Sequence, residues 1–201
     1  MEDRLWFAVG TGLTLVSAGW AIFALGAGRS QHTQWNNGLL FVAWLAMSLF
    51  LSERGRAIGH CPITNLFETV AFLDWSLLLT YLVIGTAYRV SVLGAFTAPV
   101  VAATGFFALV APIDVPRLLP NLGWALEAHA SFSLLAYGSL GLGAVASLLY
   151  LVQERQLKGH QLKRWFYRLP AMGDLARIQR RVLVWGFGLL TLGLAAGVFV
   201  P

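Results

Sequence analysis

Six stretches of mostly apolar residues, each near the length that crosses a bilayer, constrain this chain more than any other feature. A spanning helix needs about 20 predominantly apolar residues. The stretches run from about Leu5 to Ala27, Trp35 to Leu51, Asn65 to Ile84, Val90 to Ala111, Ala128 to Val152 and Val182 to Val200. The second is the shortest. Backbone groups in hydrocarbon must be satisfied within their own segment, so these runs read as helices and not as strands. The expected fold is therefore all-α: a polytopic membrane helix bundle with about six transmembrane helices, forming a single domain over residues 1–201.

Composition points the same way. Charged residues make up 11% of the chain and hydrophobic ones 58%, with a mean hydropathy of +0.70. A soluble domain devotes about a quarter of its residues to charge, so much of this surface must face lipid. Eight Trp and 21 Gly suit interfacial belts and close helix packing. No linker, repeat or low-complexity tract marks a second domain. The first apolar run follows Met-Glu-Asp-Arg, without a basic n-region or a cleavage site, and is expected to be a retained helix. Cys61 is the only cysteine, which excludes an internal disulfide and a multi-cysteine metal site.

The net charge is +5, but its distribution argues against a nucleic-acid partner. Arg155, Lys158, Lys163, Arg164, Arg168, Arg177, Arg180 and Arg181 all fall between the fifth and sixth helices. The positive-inside rule makes this loop, residues 153–181, cytoplasmic. Alternation then puts both termini on the outer side of a cell (inner) membrane, together with the loops Ser52–Thr64 and Pro112–Trp124. Arg54 and Arg56 in the first outer loop oppose this only weakly. Trp165, Phe166 and Tyr167 stand among the basic residues of the inner loop, a pattern that can lie in the headgroup layer, so membrane lipid is an expected contact, with a solvated connector as the alternative. Pro170 ends any helix before it. His32 and His160 fall in inner loops and read as solvated.

Phosphate-binding glycine loops, nucleophile elbows and histidine pairs at metal-ligand spacing are absent from the sequence. Ionisable residues at membrane depth carry the remaining interest. His129 stands near the outer start of the fifth helix, and helical spacing sets Ser133 and Tyr137 on the same small, polar face, which is expected to look into the bundle. Two readings of His129 are open: an iron ligand with its second nitrogen fixed by an oxygen, or an interfacial histidine bonded to a neighbouring helix. A second constellation is Gly59-His60-Cys61-Pro62-Ile63-Thr64-Asn65-Leu66-Phe67-Glu68. Pro62 turns the chain away from helix. Thr64 or Asn65 is expected to cap the third helix, and the Glu68 carboxylate favours the positive end of its dipole. Asp74 lies one to two turns deeper and is either neutral or hydrated at the interface. In the sixth helix, Gly193 and Gly197 have the spacing that lets another backbone approach closely.

These residues resemble the cytochrome c assembly protein family of CcsA-, HemX- and YpjD-like membrane proteins. The segment from Gly59 to Glu68 is similar to its G-H-x-P-x-[ST]-N-L-[YF]-E motif. The stretch Glu127 to Tyr137 looks like its M-H-x-x-x-x-x-L-x-Y helix, and Tyr150 to Lys158, followed by Leu169-Pro170, resembles its basic loop. The resemblance implies haem handling in cytochrome c assembly, at the outer face, for attachment to apocytochrome c. It makes His129 and His60, at the same outer level, candidate cofactor-binding residues, with His129 the one that would ligate the haem iron. Pro62, Asn65, Glu68 and Tyr137 are then structural or organising. The family's W-G-x-x-W-x-W-D segment follows a helix like Val182–Val200 and is not found here. The chain is then either a piece of a longer protein or a short relative without that cradle, and an assembly factor, with another cytochrome c assembly subunit as a candidate partner, is expected more than a self-sufficient enzyme. The competing readings are a non-catalytic membrane scaffold acting through the basic loop, and a small transporter suggested by Asp74.

Overall fold

The computed structural model describes residues 2–26, 33–87, 91–115, 123–159 and 171–200. Six helices account for almost all of them: α1 (Glu2–Gly26), α2 (Thr33–Ile58), α3 (Leu66–Ala87), α4 (Ser91–Val110), α5 (Trp124–Lys158) and α6 (Met172–Gly197). All six are long and apolar enough to cross a membrane. Among the described residues there is no strand.

Several helices outrun their apolar cores. The second, expected to be the shortest, has 26 residues and continues through Ser52–Ile58. The sixth begins at Met172, ten residues before its apolar run, and the fifth gains residues at both ends. Hydropathy marks only the lipid-embedded part of a helix. Backbone hydrogen bonding continues past the interface until a residue stops it. For α2 that residue is Gly59, whose φ of 77° is the left-handed conformation of a helix C-terminus. Its N–H closes the last turn on the Gly55 carbonyl at 2.9 Å.

Neighbouring helices pack as α1 on α2 and α4, α3 on α4 and α5, and α5 along α6. At one end of the core the rings of Phe7, Phe50 and Phe67 meet with centroids 5.3–5.7 Å apart. Each is fully buried and comes from a different helix, so this cluster ties α1, α2 and α3 together. Glycine sets the closest approaches. At Gly138 of α5 an added Cβ would collide with Ser76 and the α3 backbone. Ser76 there donates to the Leu134 carbonyl at 3.1 Å. By contrast, α6 leans mainly on α5 and leaves Trp185 and Phe187 exposed.

Cross-helix contacts define the ends. Arg4 meets Asp114, Cys61 meets Glu127 and Ser131, and His129 meets Gly193. The start of α1, the α2–α3 connection, the segment after α4, the start of α5 and the end of α6 therefore gather at one end. Arg155 and Lys158, at the finish of α5, and Arg177, Arg180 and Arg181, near the start of α6, belong to the other. Expectations for His32, His160, Lys163, Arg164, Trp165, Phe166, Tyr167, Arg168 and Pro170 lie outside the described residues.

Candidate functional site

The connection from Gly59 to Asn65 enters α3 through a tight turn. The Ile63 N–H bonds the Cys61 carbonyl at 3.0 Å across Pro62, whose ring fixes a φ suited to that three-residue turn. Pro62 is buried. Asn65 is the cap: its side-chain oxygen accepts the Glu68 N–H at 2.8 Å. Glu68 reaches back, with Oε2 taking the Thr64 N–H and hydroxyl, both at 2.8 Å. The Glu68 N–H, which the helix start leaves orphaned, and the Thr64 N–H just before the cap are both satisfied.

Glu68 is 1% exposed, so its charge needs a partner inside the protein. Arg54 of α2 supplies it, with Nε 2.9 Å from Glu68 Oε1. The same guanidinium places its Nη2 2.6 Å from Asp114 Oδ1. Asp114 also takes Asn65 Nδ2 at 3.1 Å and lies 3.3 Å from Arg4 Nε. Arg4 stacks over the Phe67 ring at 4.7 Å. Two cations and two carboxylates thus hold α1, α2, α3 and the segment after α4 together, with the charges balanced. In the sequence Arg54 stands only as a weak objection to the topology, and nothing marks Asp114 or Arg4. The signal available was a carboxylate in an apolar helix, which demands a cation from elsewhere.

His60 is half-buried, and its Nδ1 lies 3.1 Å from the Cys61 carbonyl. Cys61 joins this connection to α5: its N–H meets Glu127 Oε1 at 3.4 Å and its Sγ lies 3.5 Å from Ser131 Oγ. The Cys61 thiol pKa is raised above its ordinary value, first by burial and then by the Glu127 and Glu68 charges, against the Ser131 hydrogen bond, which lowers it.

His129 lies on α5 one turn above Ser133, and both face α6. Its Nδ1 stands 2.8 Å from the Gly193 carbonyl. A carbonyl oxygen only accepts, so Nδ1 carries a proton, and whenever the ring is neutral its lone pair sits on Nε2. Two glycines permit this contact. A Cβ at Gly197 would come 2.7 Å from His129 Nδ1, and one at Gly193 would come 2.8 Å from Ser133 Oγ. The glycine spacing in α6 therefore serves α5 of the same chain. Beyond it, Trp124 and Phe199 are exposed, with ring centroids 6.2 Å apart.

Tyr137 departs from expectation. It is 52% exposed and does not share the buried face of His129. Residues eight apart are rotated by about 80° on a helix of 3.6 residues per turn, enough to carry Tyr137 out of the contact. The structure thus brings Pro62, Asn65 and Glu68 into one brace and His129 against α6, and leaves Tyr137 outside both. Among the described residues, no three His, Cys, Asp or Glu side chains are grouped as a metal site.

Comparison with known sequences gives a consistent picture. The profile described as Cytochrome C assembly protein matches residues 63–199. A "Cytochrome c biogenesis protein CcsA" from Porphyra purpurea is 28% identical over 194 residues, covering 76% of this chain and 60% of the relative. A "Protein HemX" from Brevibacillus brevis is 28% identical over 170 residues, covering 80% and 60%. A CcsA protein from Rippkaea orientalis is 32% identical over 150 residues, covering 69% and 42%. The chain thus spans 60% or less of the length of these relatives.

Proposed function

Because this chain belongs to the cytochrome c assembly protein family, we propose that it handles haem for cytochrome c maturation, holding the iron through Nε2 of His129. The observation that carries this reading is the 2.8 Å bond from His129 Nδ1 to the Gly193 carbonyl. Iron-binding imidazoles characteristically donate their other N–H to a carbonyl or carboxylate, which fixes the tautomer and raises the basicity of the ligating nitrogen. The two readings of His129 are thereby compatible: the bond to a neighbouring helix prepares the ring for a metal. The exposed rings of Trp124 and Phe199 at the same end supply an apolar wall that suits a porphyrin.

Haem is cargo in this account. His60 is the second candidate ligand, since its Nδ1 also faces a carbonyl and leaves Nε2 available. Otherwise a partner assembly subunit completes the coordination, and apocytochrome c receives the haem. The basic residues at the finish of α5 and the start of α6 favour a cytoplasmic position for that end. His129, His60 and both termini then lie on the outer side of the inner membrane.

The test is an absorption spectrum, oxidised and dithionite-reduced, of detergent-purified protein produced with haem supplied. The reading expects a Soret band with reduced α and β bands, lost in His129→Ala. Spectra without haem in either protein would remove it.

A further inference from the structure

A second polar site lies halfway along the bundle, away from His129 and from the Glu68 brace. Asp74 is near the middle of the Leu66–Ile84 span and is 3% exposed. Eight helical rises of about 1.5 Å place it about 12 Å from the start of α3. It is therefore not hydrated at the interface. Thr104 of α4 donates to Asp74 Oδ1 at 2.6 Å, while Oδ2 is buried with no hydrogen-bond partner among the described residues. Thr11 of α1 is 1% exposed, and its Oγ1 is likewise without a partner. Both oxygens border the same spot: a Cβ on Gly105 would come 2.7 Å from Thr11 Oγ1 and 3.3 Å from Asp74 Oδ2. The glycine lets two oxygens without partners converge against the α4 backbone.

Surrounding charge does not answer this carboxyl. α4 carries no charged residue, and those of α1 are Glu2, Asp3 and Arg4 in its first turn. On α2 they are Glu53, Arg54 and Arg56, in its last turns. On α3 the other titratable groups are Glu68, already bonded to Arg54, and Tyr81, which donates to Asn37 Oδ1 at 2.6 Å. On α5, Tyr137 faces outward, and Glu127, His129, Tyr150, Glu154, Arg155 and Lys158 stand toward its two ends. A bare carboxylate in hydrocarbon is costly enough to require neutralisation.

A row of buried polar side chains leads from the site toward the other end of the bundle. Thr14 and Ser17 follow Thr11 along the buried face of α1, and Ser17 donates to Asn36 Oδ1 at 2.6 Å. Asn36 Nδ2 is itself buried without a partner, near the start of α2 and the basic end of the bundle. We propose that Asp74, Thr11 and Thr104 form a membrane-embedded site for one positive charge, a proton held with water or a sodium ion, loaded along Asn36, Ser17 and Thr14. The donors are all oxygen, as hard cations prefer. The occupant neutralises Asp74 and uses Thr11 Oγ1 as a further ligand.

The experiment uses the whole chain in detergent, as wild type, Asp74→Asn and Thr11→Val. It reads the thermal midpoint in sodium chloride against choline chloride at equal ionic strength. It also reads the infrared carboxylic-acid carbonyl band in water and heavy water. Sodium as occupant predicts a midpoint raised by a few degrees in wild type, absent in Asp74→Asn and reduced in Thr11→Val. A proton predicts no sodium response, with a carboxyl band that moves in heavy water, disappears in Asp74→Asn and shifts in Thr11→Val. The proposal is overturned if neither signal belongs to Asp74, or if, with no sodium response, the carboxyl band does not exchange in heavy water. Should Asp74→Asn fail to fold, a Thr11→Val protein with wild-type sodium response and band position overturns it as well.

Discussion

Two polar regions at the same end of the bundle use their hydrogen-bonding capacity in opposite ways. In the brace around Glu68, both carboxylate oxygens are engaged: Oε1 by Arg54, Oε2 by Thr64. At the α5–α6 contact, His129 commits Nδ1 to Gly193 and keeps Nε2 for something else. A group whose valences are all used inside the protein can hold helices together, but it has nothing to offer a ligand. A group fixed at one atom and unused at another is oriented and still reactive. The motif from Gly59 to Glu68 is divided by this distinction, with Asn65 and Glu68 on the structural side and His60, the proposed second ligand, keeping one ring nitrogen in reserve.

The sharpest way to break the comparison is to remove one charge from the brace. Arg54→Ala leaves Glu68 and Asp114 buried with less compensation, and breaking such a pair costs about 3–5 kcal/mol. A large fall in thermal midpoint is expected, and whatever folded protein remains should keep its haem spectrum. His129→Ala should do the reverse. It loses one hydrogen bond, worth about 1 kcal/mol, so the midpoint falls little while the haem signal is lost.

Gly197→Ala tests whether the contact orients the ring. The added methyl would press on His129 Nδ1. Overpacking of this kind costs about 1–3 kcal/mol, and the haem bands should weaken although the histidine is retained. An unchanged spectrum would show that the contact with α6 does not position the ligand.

Cys61 gives a smaller effect. Its thiol pKa is raised, so the reactive thiolate is scarcer at a given pH than in a free cysteine. Alkylation by iodoacetamide at pH 8 should be slower than for a free thiol, and should accelerate only above the ordinary thiol range. Glu127→Gln removes a charge that raises the pKa and should speed the reaction. Tyr137→Phe is expected to change least, within about 0.5 kcal/mol for an exposed site, with no spectral effect.

Much of the architecture was legible because lipid imposes a strong rule: long apolar runs must become helices. The six helices and the capping of α3 follow from composition and local chemistry. The ends of α2 and α6 did not, because charged residues remain helical once they leave the hydrocarbon. Arg54 and Asp114 are 60 residues apart, and nothing in sequence order announces their contact. The role of the α6 glycines was visible as a spacing but not as an assignment. Only packing shows that His129 and Ser133 occupy the room they leave, and that Tyr137 has rotated past it.

Haem binding is proposed to turn on one nitrogen, Nε2 of His129, and chemical rescue addresses it directly. His129→Gly, purified with haem supplied and then titrated with free imidazole, should first lack the Soret and reduced α and β bands and then recover them as imidazole fills the space. A His129→Gly protein whose haem spectrum equals that of wild type before any imidazole is added would contradict the account.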